Sequence, residues 1–294
     1  MNILSLFDGI SCGQIALNKL NISYNNYFAS EIDSSAIKVT QYNFPNTKQI
    51  GDVIKVKGNN LPEIDLLMGG SPCQSFSNAG KGEGFNGKSG LFWEYVRILK
   101  EIKPKYFLFE NVKMKKEWKE IITKALEVEP VEINGKYFTP QNRPRLFWSN
   151  ILIENIPTQY DHCLKNILDT ADESYYLTEK QLSILDLNFK WSENDIIRHK
   201  AGKHQQDNFY RYDGIMACLS ASHHGAARHL TKIYLPDGRI RRLTENEVEK
   251  LQAVPIDYTN CVSSSKRYEL LGNGWNVDVI IFILKNLLKE NKNE

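Results

Sequence analysis

Short apolar runs alternate with stretches of helical periodicity over the first part of the chain. NILSLF, near the N-terminus, is an almost continuous apolar run and predicts a buried strand. DGISCG follows as a glycine-bearing turn, and GQIALNKL predicts a helix. NNYFAS repeats the strand pattern, and DSSAIKVTQYNF predicts a helix that starts at a good N-cap, Asp33 or Ser34. EIDLLMGG is a third apolar run, ending in glycines. In GLFWEYVRILKEI the residues Leu91, Tyr95, Ile98, Leu99 and Ile102 fall at helical spacing. KYFLFENV predicts another strand and MKKEWKEIITKAL another helix. Strands alternating with helices predict an α/β fold with a parallel sheet covered on both faces.

The pattern changes near residue 151. From ILIENIPTQY to LTKIYLPDGR the periodicity weakens and His, Asn, Asp and Tyr become frequent, which predicts a small loop-rich insertion. RRLTENEVEKLQAV then predicts a helix with Thr244 as N-cap and Glu247 completing a capping box. WNVDVIIFILKNLLKE predicts a strongly apolar helix packed against the main sheet. The expected organisation is a main domain over 1–150, a small insertion domain over 151–240, and a return segment, 241–294, that completes the first domain.

Composition narrows the class without deciding it. Of 294 residues, 37 are Lys or Arg and 35 Asp or Glu, so the net charge is +2 and any basic surface must be local. Five cysteines (12, 73, 163, 218 and 261), with no CxxC pair, argue against a disulfide framework or a zinc cage and for a reducing, cytoplasmic setting. The start has neither the charged segment nor the long apolar core of a signal peptide, and no apolar stretch is long enough to cross a membrane.

Candidate chemistry sits at the strand ends. A strand, a glycine turn and a helix can cradle a nucleotide-like ligand, although FDGISCG holds only Gly9 and Gly13 and lacks the dinucleotide fingerprint. A tight turn that simply needs glycine is the alternative. Glu31 closes the second strand, where an acidic side chain can meet ribose hydroxyls, and Asp52 could accept from an adenine amino group. Asp8 in the turn disfavours a pyrophosphate. A cationic adenosyl ligand such as S-adenosylmethionine suits these carboxylates and the aromatic Phe7.

FDGISCG, GGSPCQSFSNAG, FENV, QNRPR and LLGNGWNV stand in the order and spacing of the cytosine-5 DNA methyltransferases, which the chain resembles over 1 to about 150 and about 241 to 290. LFDGI, ASE, LFENV and LLGNGW look like the mammalian de novo enzymes; PCQSFSNAG is closer to bacterial restriction-modification enzymes. The resemblance implies a Rossmann-like, S-adenosylmethionine-dependent methyltransferase fold in a compact prokaryotic or phage member. It implies Cys73 as the nucleophile, Glu110 as the partner of cytosine N3, and Arg143 and Arg145 as arginines that flank a flipped base. Cofactor contacts carry over to Phe7, Asp8, Gly9, Ile10, Glu31, Ile32, Asp52 and Val53, with Pro72, Leu91, Asn273 and Trp275 as additional ones. For Trp275, core packing is the alternative. The loop holding Gly80, Gly82, Gly84, Gly87 and Gly90 is expected to close over substrate.

Base flipping calls for phosphate contacts and a filler for the gap. Expected DNA contacts are Gln74, Ser75, Ser77 and Lys81 in the loop, Gln141, and Arg198, Lys203, Arg211, Arg228 and Arg241 in the basic, aromatic stretch 198–242. Its histidines have no finger spacing, so no metal is expected. The expected partner is double-stranded DNA, with a cognate restriction endonuclease as a candidate companion. Methylation of tRNA cytosine is one alternative activity. A catalytically inactive regulatory relative is another, and the intact Cys73, Glu110, Arg143 and Arg145 count against it.

Overall fold

The N-terminal apolar run forms strand β1 (Asn2–Leu6), buried at four of its five residues. The structure, a computed structural model, describes residues 1–72, 88–202, 207–219, 221 and 231–290. Helix α1 (Cys12–Lys19), β2 (Asn26–Ser30) and α2 (Ser34–Asn43) follow. Asp33 caps α2, its carboxylate accepting the N–H groups of Ser35 and Ala36 that the helix itself leaves unpaired. Next come the short β3 (Lys48–Gln49), the fully buried β4 (Leu66–Gly69), α3 (Phe92–Ile102), β5 (Tyr106–Val112), α4 (Lys116–Leu126) and β6 (Val131–Asn134). After β7 (Gln141–Asn142), β8 (Pro144–Ser149) enters the main sheet.

That sheet has seven strands in the order β3-β2-β1-β4-β5-β8-β6. The first five are parallel, as the alternating pattern predicts, whereas β8 runs antiparallel to β5. The order reverses at β1, and an open α/β sheet leaves a ligand crevice at the carboxyl ends of its strands at such a switch point. The core beneath includes Leu4, Leu6, Leu67, Phe92, Tyr95, Phe109 and Trp148. Phe109 is ringed by Phe92, Tyr95 and Trp148 at centroid distances of 5.2, 4.8 and 5.9 Å, each pair contributing about 0.5–1.5 kcal/mol beyond area burial. Gly69 is required by close approach. A Cβ there would lie 2.9 Å from the Leu6 carbonyl oxygen and 3.0 Å from the Tyr95 ring.

The chain divides into two compact units, 1–133 with 144–156 and 277–294, and 134–143 with 157–276. The second unit contains α5 (Glu179–Leu182), β9 (Arg198–Lys200), β10 (Asn208–Arg211), β11 (Met216–Ala217), β12 (Lys232–Tyr234), β13 (Ile240–Arg242), α6 (Glu245–Leu251) and α7 (Ser264–Asn273). Strands β13-β12-β10-β9 form one sheet and β11-β7 another. The capping box expected at Thr244 and Glu247 is present. In the first unit α8 (Val277–Leu284) packs on α1, and α9 (Leu287–Glu290) follows. Only the chain from Val277 onward returns to the first unit; residues 241–276 are compact with the second, so the units do not divide at 240. No helix among the described residues is long and apolar enough to cross a membrane.

Candidate active site

The turn after β1 has an unusual backbone. Phe7, Gly9 and Ser11 all have positive φ, at 57, 58 and 60°, and a non-glycine residue held there costs of order 1–3 kcal/mol. A Cβ on Gly9 would meet nothing within 4 Å among the described residues, which leave the space over the turn open. Glu31, just past β2, fastens it. One carboxylate oxygen accepts the Gly9 N–H at 2.8 Å, and the other accepts the N–H groups of Ile32 and Asp33 at 2.7 and 2.9 Å. Three of the carboxylate's roughly four acceptor positions are thereby filled.

Asp8 faces the interior of the same turn. Its Oδ1 accepts the Tyr27 hydroxyl at 2.8 Å, while Oδ2 is buried with no hydrogen-bond partner among the described residues. Burial pushes its carboxyl up to about 6, against the neighbouring hydroxyls of Ser5, Ser11 and Tyr27, which favour the charged form. Ile32 is 74% exposed beside the turn. Asp52 accepts the Ile54 N–H at 3.1 Å. Ile10 and Val53, expected as cofactor contacts, bury their side chains in the core and can present only main chain. A separate cavity of about 660 Å³ has Ile54, Arg97 and Glu101 among its lining, and none of the turn residues.

The reactive end lies at β4 and β5. Asn111 is buried, and its Nδ2 donates to the Ser71 carbonyl and hydroxyl, both at 3.3 Å. It thereby anchors the backbone that continues through Pro72 into Cys73. One residue earlier, the Glu110 carboxylate meets Arg145 Nε at 2.9 Å, both side chains largely buried. The register explains the pair: Arg145 lies opposite Val112 on β8, diagonal to Glu110 and on the same face. Cys73, Gln74, Ser75, Ser77, Lys81 and the glycines from Gly80 to Gly87 lie outside the described residues; Leu91 is half-buried against the core.

The second unit corrects several expectations. Arg143, expected beside a flipped base, is only 5% exposed. Its guanidinium donates to the carbonyls of Gly272 (3.1 Å) and Gly274 (2.8 Å) and to Cys218 Sγ (3.2 Å), so it clasps the LLGNGW turn. Gln141 is fully buried, donating to Gln252 and accepting the Leu219 N–H; it is a core amide, not a DNA contact. Arg241, 2% exposed, makes a two-pronged ion pair with Glu247 and has no surface to offer phosphate. Arg211 reaches solvent but is engaged by Asp213 through two hydrogen bonds. Arg198 is half-buried on β9, and Lys203 and Arg228 lie outside the described residues. Asn273 is exposed at the end of α7, and Trp275 is half-buried. Among the described residues no group of three His, Cys, Asp or Glu could hold a metal.

The sequence model of C-5 cytosine-specific DNA methylases matches residues 1–289. The chain belongs to that family. It is 32% identical over 294 residues to the orphan methyltransferase M.Rho11sI of Bacillus phage rho11s, covering 93% of this chain and 52% of the relative. It is 28% identical over 313 residues to the type II methyltransferase M.HhaI of Haemophilus parahaemolyticus, covering 98% and 94%. The chain spans about half the length of the phage relatives it matches. In fold it is similar to the S. pombe Dnmt2 methyltransferase, with a TM-score of 0.73, 17% identity and 99% of each chain covered.

Proposed function

We propose that this family member is a DNA (cytosine-5-)-methyltransferase that transfers methyl from S-adenosylmethionine to C5 of a cytosine turned out of duplex DNA. The observation that carries this reading is the largely buried Glu110–Arg145 pair on β5 and β8, next in sequence to the Asn111 amide that anchors Ser71, two residues before Cys73. The curated relatives are named as type II or orphan methyltransferases, which favours DNA over tRNA and suggests a restriction-modification or phage self-protection role, exercised in the cytoplasm.

The residues at the β1 turn fit a cationic adenosyl ligand: space above Gly9 that no described residue fills, an exposed apolar Ile32, and the carboxylates Asp8, Glu31 and Asp52, one past the end of each of the neighbouring strands β1, β2 and β3. Glu31 retains an acceptor position for a ribose hydroxyl, Ile32 offers an apolar face to adenine, and Asp52 an acceptor for its amino group. Phe7, Asp8, Gly9 and Ile10 line the turn, and Pro72, Leu91, Asn273 and Trp275 are further candidates. When bound, S-adenosylmethionine supplies an electrophilic methyl group on a sulfonium.

Cytosine C5 is a weak nucleophile, and the protein's task is to make it a strong one. The Cys73 thiolate adds to C6 while Glu110 holds a proton at N3, so the ring's electron pair collects at C5. C5 takes the methyl; loss of its proton then returns the electrons, and the thiolate leaves C6. Arg145 orients the Glu110 carboxyl, and Asn111 fixes the start of the Cys73 loop. Arg143 acts at one remove, as a positioning residue for the LLGNGW turn. The second unit is proposed to read the target through solvent-facing groups of the 198–242 stretch, with Arg198, Lys203 and Arg228 as candidates.

Sequencing of total DNA from a host expressing the chain, scored for 5-methylcytosine, tests the reading. Methylation at one short recurring sequence, abolished by Cys73→Ala, is expected. Unmodified DNA beside newly methylated tRNA would overturn it.

A further inference from the structure

We propose that Arg97, on helix α3, is a positioning residue for the adenine end of the cofactor site: it holds the Asp52 turn in place, and with it the acceptor for the adenine amino group. The inference rests on the reading of Asp52 given above and goes beyond it. Asp52 lies past the end of β3, at the sheet edge where Glu31 lies past the parallel β2. Its Oδ1 accepts the Ile54 N–H and so opens the single helical turn Val53–Lys55.

The carbonyls on either side of Asp52 are both pinned. Ser30, the last residue of β2 and the neighbour of Glu31, donates its hydroxyl to the Gly51 carbonyl at 2.7 Å. On the other side Arg97 Nη2 donates to the Val53 carbonyl at 3.2 Å. Asp52 is therefore suspended between the strand that leads to Glu31 and the helix that starts just after Leu91. Arg97 is itself held. Glu94 accepts from its Nε and Nη2 at 2.9 and 2.6 Å, and Glu101 accepts from Nη1 at 2.8 Å. Ion pairs as exposed as these add little stability, but together they fix the plane of the guanidinium and aim its last donor at Val53. The second oxygen of Glu101 accepts the Gly58 N–H at 2.8 Å, so α3 clasps the segment at both ends.

Packing does not do this work alone. Val53 and Val56 bury their side chains in the core, yet Ile54, Lys57 and Leu61 line the cavity of about 660 Å³ that they share with Arg97 and Glu101. Where that cavity opens, hydrogen bonds join the segment to α3. Without the Arg97 arm the Val53 carbonyl is released, and Asp52 keeps only one of its two fixed flanks. A hydrogen bond to a carboxylate depends steeply on distance and angle, so the amino group of adenine loses its partner while a base without that group loses nothing.

Isothermal titration calorimetry of the full chain with S-adenosylhomocysteine and with its deaminated analogue S-inosylhomocysteine, whose oxygen replaces the amino group, tests this. The wild type should prefer the adenosyl ligand by about ten-fold or more, and Arg97→Ala should bring the two affinities close to equality. In steady state the KM for S-adenosylmethionine should rise about ten-fold in Arg97→Ala while kcat at saturation holds. Arg97→Lys keeps a cation for Glu94 and Glu101 but no second arm for Val53, so its ratio should also fall. A role in stability alone would leave the ratio unchanged. A wild-type ratio in Arg97→Ala or in Arg97→Lys overturns the proposal and leaves the cofactor site standing. A wild type that binds both ligands equally overturns it together with the adenine role of Asp52, and one that binds neither overturns the cofactor reading as well. Should Arg97→Ala not fold, Arg97→Lys decides.

Discussion

A glutamate within a mostly buried strand is costly unless something opposes its desolvation, and here Arg145 does so at 2.9 Å from the facing strand. Glu110→Gln keeps the shape of that side chain and loses its ability to carry a proton to N3. The expected result is cofactor affinity within about two-fold of wild type and a turnover loss of roughly 10²–10⁴, read by calorimetry and steady-state rates. Asn111 is proposed to work through Ser71, to which its amide donates. Asn111→Ala leaves the buried Ser71 carbonyl and hydroxyl without this donor, at about 1–3 kcal/mol. Turnover should fall while cofactor affinity holds; an unchanged kcat would show that the loop needs no such anchor. The motif company of Cys73 and Glu110 marked both as candidates in the sequence. Tyr27 had no such signal, because a tyrosine within a strand reads as core until its hydroxyl is seen on Asp8.

The elements of the first unit were legible because strand and helix periods differ and their ends carry caps and glycines. Asp33 and Thr244 cap the helices their sequence patterns predict. The antiparallel β8 was not legible, since PRLFWS has a strand's composition but nothing in it sets direction. Inside the second unit the strands are two to four residues long, too short for a period to show. Arginine and glutamine are exposed by default, and that expectation failed at Gln141, Arg143 and Arg241, whose partners are set by tertiary contact. Glu247 both completes the α6 capping box and binds Arg241 with two hydrogen bonds. Arg241→Ala strands that carboxylate in the interior and should cost about 3–5 kcal/mol in denaturant unfolding. The folded fraction should keep the wild-type salt dependence of DNA binding, whereas a true phosphate contact would reduce the slope by about one. A reduced slope would return Arg241 to the DNA surface.

At the scale of the molecule, the first unit is built from three stretches of chain, and the LLGNGW turn that Arg143 clasps belongs to the second. The sequence pattern identified the return of the C-terminal apolar helix but put the change of unit at 240, because helix α6 carries a clear start signal and no signal for what it packs against. The chemistry proposed for the whole is a reversible thiol addition that activates C5. A duplex with 5-fluorocytosine at the target position tests it most directly, since fluorine at C5 cannot leave as a proton does and the final elimination is blocked. Intact mass spectrometry of the chain with this duplex and S-adenosylmethionine should show a protein–DNA species carrying one added methyl, abolished by Cys73→Ala and mapped to the Cys73 peptide. No covalent species, or one that persists in Cys73→Ala, would contradict the account.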